Sequence, residues 1–161
     1  MSLFGSLFGK KTPPIQCPRC LGKGHVDSDD IKRLNKELKW QPGSCAYCEG
    51  SGKVDPDMLN KIAVDEAYLT TDLSKEERQR VIDNDAEALE RGRIFEEETN
   101  RFIREINFLH YIGKLDADKI SEFYLIARFA EKLDGKMYEQ EKKELIDYVN
   151  RVIALNNSQL N

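Results

Sequence analysis

The pattern of apolar residues predicts helices over most of the chain after residue 55. Apolar residues recur at helical spacing from Leu59 onward, and Ser74 and Glu77 form a capping box at the start of one predicted helix. Across residues 120–133 they occur on most faces of the helix, which is typical of a helix buried at the centre of a bundle. We therefore expect residues 56–156 to form an all-helical bundle, and the chain to be mainly α.

The first 16 residues predict a flexible amphipathic leader that ends in a proline linker. Its large apolar residues would share one face of a helix: Leu3, Phe4, Leu7 and Phe8. Such a face could dock onto a partner or bind a membrane surface weakly, or the leader could be disordered or lie on its own domain. At the other end, residues 157–161 predict a polar tail.

Charge is distributed unevenly over the 161 residues, whose formal net charge is −4. Residues 1–55 contain 9 Lys and Arg against 6 Asp and Glu, whereas residues 56–161 contain 16 against 23. The acidic part argues against nucleic-acid binding, which depends on basic side chains at phosphates. The alternative, a nucleic-acid-binding module in the first part, would use Lys10, Lys11, Arg19, Lys23, Lys32, Arg33, Lys36 and Lys39.

An internal repeat aligns residues 17–27 with residues 45–55, and its shared core is C-x-x-C-x-G-x-G. Its cysteines are Cys17, Cys20, Cys45 and Cys48, and its glycines are Gly22, Gly24, Gly50 and Gly52. Two residues between cysteines let a tight turn direct both sulfurs at one ion, and glycine lets the chain leave that turn. Two such turns supply the four thiolates of a structural zinc site, which leaves no position for a catalytic water. We therefore expect one structural zinc ion.

The cellular compartment supports metal binding over disulfides. The N-terminal segment does not have the charge order of a signal peptide, so we expect a reducing, cytoplasmic location, where paired cysteines usually bind metal. No apolar run is long enough for a membrane span. The less favoured alternative is a thiol–disulfide oxidoreductase, although the strand–helix setting of such a motif is missing here.

The two motifs resemble the cysteine-rich zinc domain of the DnaJ chaperones, a family with four such repeats and two zinc centres on a β-hairpin scaffold. The resemblance covers residues 17–55 and implies half of that domain, with short β-hairpins, a helix and one zinc centre. It assigns zinc ligation to the four cysteines and turn roles to the four glycines, and it implies an affinity for protein clients. The His-Pro-Asp signature of a J domain is absent from this sequence, so we do not expect co-chaperone activity.

Two further features bear on partners. Trp40, the only tryptophan, either packs on the small zinc core or is an exposed anchor for a partner. The turn at residues 134–136 is faintly similar to the helix–Asp-Gly-Lys–helix turn of TerB-like bundles, which implies a role in stress or membrane-linked assemblies.

The function that these patterns favour is a non-enzymatic, zinc-binding adaptor for protein partners, with a chaperone-like or assembly role. A closed metal site and the lack of a catalytic constellation in the sequence are the reasons. The sequence leaves the partner and the oligomeric state open.

Overall fold

A computed structural model describes residues 12–129 and 135–159 of the chain. Its four strands are β1 (Ile15–Gln16), β2 (His25–Val26), β3 (Gly43–Ser44) and β4 (Lys53–Val54). Its helices are α1 (Ser28–Arg33), α2 (Met58–Lys61), α3 (Lys75–Ile82), α4 (Ala86–Tyr111), α5 (Ala117–Phe129) and α6 (Gly135–Gln159). The fold class is confirmed: a small four-cysteine region with short strands precedes a helical region. The leader residues Leu3, Phe4, Leu7 and Phe8 lie outside the described residues.

The chain divides into two compact units. Unit 1 comprises Met1–Lys36 and Trp40–Gly92, and unit 2 comprises Glu37–Lys39 and Arg93–Asn161. Unit 1 thus contains residues 17–36 and 40–55 of the proposed module, together with α2, α3 and the start of α4. None of the helices in the described ranges has the length and apolar character needed to span a membrane.

The strands of unit 1 pair between the two repeats. β1 is antiparallel to β4, with Ile15 opposite Val54, and β2 is antiparallel to β3, with Val26 opposite Gly43. Counterpart cysteines are 28 residues apart, and the strands that precede and follow them obey the same offset. The sequence repeat therefore becomes a pseudo-twofold arrangement in which each repeat supplies one strand to each pair.

The core of unit 1 extends well beyond the cysteines. Trp40 and Tyr47 are buried, and Ile62, Leu69 and Val81 belong to the same apolar cluster. The Trp40 indole Nε1 donates a hydrogen bond to the Ala67 carbonyl at 3.0 Å. The second half of unit 1 therefore covers the aromatic residues that the repeats contribute.

Unit 2 has an ordinary apolar core formed by α4, α5 and α6. Its most buried members are Ile106, Ile120, Val149 and Val152. Aromatic rings also pack against this core. The Phe102 ring lies edge-on to the Tyr124 ring, with ring centres 4.8 Å apart, and stacks on the Tyr148 ring, with ring centres 5.7 Å apart. The segment Glu37–Lys39 belongs to this unit, and the Tyr148 hydroxyl donates to the Leu38 carbonyl at 3.3 Å.

The prediction that residues 120–133 form a helix buried at the centre of a bundle is wrong for residues 120–129, the part of it that the structure describes. In α5, Ile120 and Leu125 are buried, but Phe123 is 55% exposed and Ile126 is 63% exposed. Among the described residues, unit 2 has only the helices α4, α5 and α6. Because α5 has only two neighbouring helices there, one of its faces remains exposed to solvent. The C-terminal tail also differs, since α6 continues through residues 157–159.

Candidate metal centre

Four cysteine sulfurs converge in unit 1. The side chains of Cys17, Cys20 and Cys45 are completely buried and Cys48 is 6% exposed. The Sγ atoms of Cys17 and Cys45 lie 3.9 Å apart, those of Cys20 and Cys48 lie 3.8 Å apart, and all four lie within 4.8 Å of one another. All four are free thiols.

These distances fit a metal and not a disulfide. A tetrahedron with metal–sulfur bonds of about 2.3 Å has sulfur–sulfur edges of about 3.8 Å, whereas a disulfide bond measures about 2.05 Å. Both of these sulfur pairs join the two repeats, so each C-x-x-C turn presents both sulfurs to a shared centre. The arrangement is therefore a four-sulfur site that can hold one metal ion.

Backbone N–H groups point at the sulfurs in both repeats. The Gly24 N–H donates to the Sγ of Cys20 at 3.3 Å, and the Gly52 N–H donates to the Sγ of Cys48 at the same distance. Such donors disperse the negative charge that thiolates carry when they bind a metal. The two repeats therefore give their second cysteine the same backbone donor, the N–H of the second glycine of the motif.

The glycines also close the two turns against each other. The Cys17 N–H donates to the Gly52 carbonyl at 2.9 Å, and the Cys45 N–H donates to the Gly24 carbonyl at 3.0 Å. Gly52 has φ +75°, and a Cβ atom there would collide with the Gly22 carbonyl. This position needs glycine for two separate reasons, its left-handed backbone and the close approach of another backbone.

Arg19, which the sequence suggested only as a candidate for phosphate binding, has a buried role beside the metal site that sequence reasoning missed. It lies between the first two cysteines, yet only 2% of it is exposed. Its guanidinium donates three hydrogen bonds to carbonyls of the segment after α2, at 2.7 Å to Val64, 2.7 Å to Leu69 and 3.1 Å to Glu66. It also lies 4.3 Å from the centre of the Trp40 ring, a cation–π contact.

Arg19 is the counterpart of Tyr47 in the other repeat, and its guanidinium carbon lies 5.2 Å from the centre of the Tyr47 ring. Burial lowers the pKa of Arg19 from its usual value, and the charges of Cys45 and Cys17 oppose that shift. A guanidinium remains protonated in proteins. One buried positive charge therefore lies beside a site whose four thiolates would give a divalent metal a net charge of about −2.

The metal-free thiols share protons across the repeats. The hydrogen bond from Cys45 lowers the pKa of Cys17, and the same contact raises the pKa of Cys45. Burial raises the pKa of Cys20. A metal ion must displace the protons of these thiols, because only thiolates bind it.

The remaining sequence candidates are distributed differently. Trp40 is 6% exposed, donates to the Ala67 carbonyl and lies under the Arg19 guanidinium. Of its two alternatives, packing in the core therefore agrees with the structure, and the exposed partner anchor is wrong. Arg19 is likewise unavailable to a phosphate. Among the other basic candidates, Lys23 pairs with Asp30 at 2.7 Å and Lys36 pairs with Asp65 at 3.3 Å.

Comparison with known proteins adds no relative. No family model, curated protein or solved structure matches the chain. The functional argument therefore starts from the geometry of the four sulfurs and their surroundings.

Proposed function

We propose that this protein is a non-enzymatic, zinc-binding adaptor for protein partners. One structural zinc ion would be held by Cys17, Cys20, Cys45 and Cys48. The observation that carries the proposal is the closed set of four buried sulfurs. A site with four protein ligands has no position for a substrate or an activated water, which is typical of structural zinc and not of catalytic zinc.

The donor set supports zinc over most other metals. Four thiolates in a tetrahedral arrangement select zinc or iron, whereas calcium and magnesium require oxygen ligands. Zinc has no redox chemistry, which suits a centre with backbone N–H donors and a buried cation around it. Elemental analysis separates the two remaining metals directly.

Burial argues against the alternative of thiol–disulfide exchange. A reactive cysteine lies in a partly exposed environment, but here all four cysteines are buried. Exchange would require unit 1 to open. We expect no turnover in an insulin-reduction assay.

The resemblance to the DnaJ cysteine-rich domain supports the interaction part of the proposal. Each motif has the family's order of cysteines and glycines, and in each the second glycine donates its N–H to sulfur. Half of such a domain, attached to a helical unit, suits an adaptor with a chaperone-like or assembly role. Each unit would present a surface to partners, and the metal would stabilise the fold of unit 1.

The first experiment is elemental analysis of freshly purified protein. We expect one zinc per chain, and less than a tenth of that in a Cys20→Ser, Cys48→Ser double variant. A Ser51→Ala variant, changed in the same turn but not at a sulfur, should keep its zinc. Iron in place of zinc would overturn the choice of metal, and cystines without metal would overturn the site.

The second experiment tests the adaptor role. Tagged wild-type protein and the cysteine variant serve as baits in the same extract, followed by quantitative mass spectrometry. We expect a defined protein partner that is recovered by the wild type and the Ser51→Ala control but not by the cysteine variant. Equal recovery by all three baits would mean that the metal site does not support the interaction.

A further inference from the structure

A groove in unit 2 lies between α4 and α5 and has a volume of about 520 Å³. Its apolar part is formed by Phe108 and Phe123, which are 61% and 55% exposed, together with Leu109. Arg104 and Arg101 line the same groove, one and two helical turns before Phe108 respectively. The groove thus combines large exposed apolar side chains with two positive charges.

These two arginines differ from the others in the chain. Seven arginines whose side chains the structure describes form hydrogen bonds or ion pairs: Arg19, Arg33, Arg78, Arg80, Arg91, Arg93 and Arg151. Arg101 and Arg104 have no such partner among the described residues. The nearby carboxylate of Glu105 accepts a hydrogen bond from the Tyr124 hydroxyl at 3.0 Å. Two unpaired guanidiniums therefore flank an apolar groove.

We propose that this groove binds an acidic amphipathic segment of a protein partner. A large apolar side chain of that segment would lie between Phe108 and Phe123, and carboxylates one helical turn away would pair with Arg101 and Arg104. Guanidinium groups recognise carboxylates with two parallel hydrogen bonds, and arginines beside aromatic side chains are the residues that contribute most at interfaces. The proposal rests on the adaptor function, for which it names the partner chemistry.

Charge also decides against a second copy of the chain as the occupant. A symmetric dimer places the same patch on both sides of the contact. Two such patches would bring four arginines into one contact with only two groove carboxylates, those of Glu105. An acidic segment instead neutralises both guanidiniums.

The test measures fluorescence anisotropy of a labelled probe peptide with the full-length, zinc-loaded protein. The probe is a helical peptide of about three turns with leucines on one face and glutamates beside them. A matched peptide has glutamine at every glutamate. We expect the glutamate peptide to bind at least about tenfold more tightly than the glutamine peptide, and its affinity to fall as salt is added.

Paired charge reversals locate the binding site. An Arg101→Glu, Arg104→Glu variant should bind the glutamate peptide with an affinity lower by about tenfold or more. The control is Lys119→Glu, Lys143→Glu, which makes the same change of net charge at exposed positions outside the groove and should bind as the wild type does. Circular dichroism verifies that each variant is folded, and a Phe123→Ser variant tests the apolar contact independently.

Three results would overturn the groove proposal. They are equal binding of the two peptides, unchanged binding by the arginine variant, and saturation of the groove by another occupant. The last would appear as self-association in sedimentation velocity that Phe123→Ser abolishes, or as arginine-dependent binding to phosphatidylserine vesicles. If the protein contains one zinc per chain but does not bind the glutamate peptide, only the groove proposal fails. If a protein purified without metal binds the peptide, the groove proposal stands and the zinc function fails.

Discussion

The core of unit 1 contains sulfur-containing, charged and aromatic side chains beside its aliphatic ones, whereas the most buried side chains of the unit 2 core are aliphatic. Unit 1 buries four cysteines, Arg19 and Asp30. Unit 2 centres on Ile106, Ile120, Val149 and Val152. Burial of aliphatic side chains drives folding by removing apolar surface from water, whereas the four thiols at the centre of unit 1 contribute little to folding unless a cation binds them. The two units should therefore respond to different treatments.

Removing the metal is expected to have the largest effect. Chelation should unfold unit 1, because structural zinc contributes an apparent binding free energy of about 10–16 kcal/mol only to the folded site. Trp40 is the single tryptophan and is buried in unit 1, so its emission should move to longer wavelength. The helical circular dichroism of α5 and α6 should persist. Restoration by zinc but not magnesium is the control, and equal loss of helix throughout would refute independent units.

Replacing the buried arginine is expected to have the next largest effect. Arg19→Met leaves three carbonyls without their donor and removes the cation beside the thiolates, which should cost unit 1 about 3 kcal/mol. Arg19→Lys should be intermediate. Urea denaturation followed by Trp40 emission at fixed zinc concentration measures the loss. Lys32→Met, at an exposed position of α1, is the matched control, and equal midpoints for the two methionine variants would contradict this role.

A glycine pair gives a smaller and more local test. Gly52→Ala should destabilise unit 1 by about 2 kcal/mol, because its φ of +75° is unfavourable for alanine and the new Cβ would meet a carbonyl. Gly43→Ala should be nearly neutral, since nothing lies within 4 Å of its Cβ position. The same denaturation assay compares them. Equal effects would mean that the close approach of the two turns does not limit stability.

The smallest expected effect concerns unit 2 at alkaline pH. Lys142 pairs with Glu122 at 2.9 Å and with Asp118 at 3.0 Å, and the hydrogen bond to Glu122 is the main reason why the pKa of Lys142 is raised. A raised pKa contributes stability below the ordinary value of 10.5, and that contribution disappears as pH rises through the folded value. Thermal melts should therefore separate wild type from Lys142→Met at neutral pH and converge at high pH. Lys143→Met is the control, and a pH-independent difference would exclude the ion pair as its cause.

Local spacing predicts much of this molecule and tertiary contacts decide the rest. The C-x-x-C-x-G-x-G repeat identifies the four sulfurs that the structure brings together, and Ser74 caps α3 by accepting from the Glu77 N–H at 3.1 Å. Both depend on residues a few positions apart. The strand pairing between repeats joins residues 17–19 positions apart in one pair and 37–39 in the other, so no short-range pattern reveals it.

Arg19 and Phe123 illustrate the opposite errors that follow from composition alone. An arginine beside cysteines looks like a surface cation, but carbonyls 45–50 residues later enclose it. A phenylalanine in an apolar helix looks buried, but the helix has more apolar faces than neighbours among the described residues. The signal that could have identified Arg19 is its alignment with Tyr47, which places both at the interior position of their turns.

The pseudo-twofold relation between the repeats has a consequence for how the centre could be taken apart. Neither repeat alone possesses a complete coordination sphere, since each contributes two sulfurs and one strand of each pair. A peptide that contains only one repeat would have to find another molecule of itself to enclose an ion. The linker containing α1 thus holds inside one polypeptide what would otherwise be a concentration-dependent dimer, and cutting that linker would turn metal capture into a bimolecular reaction.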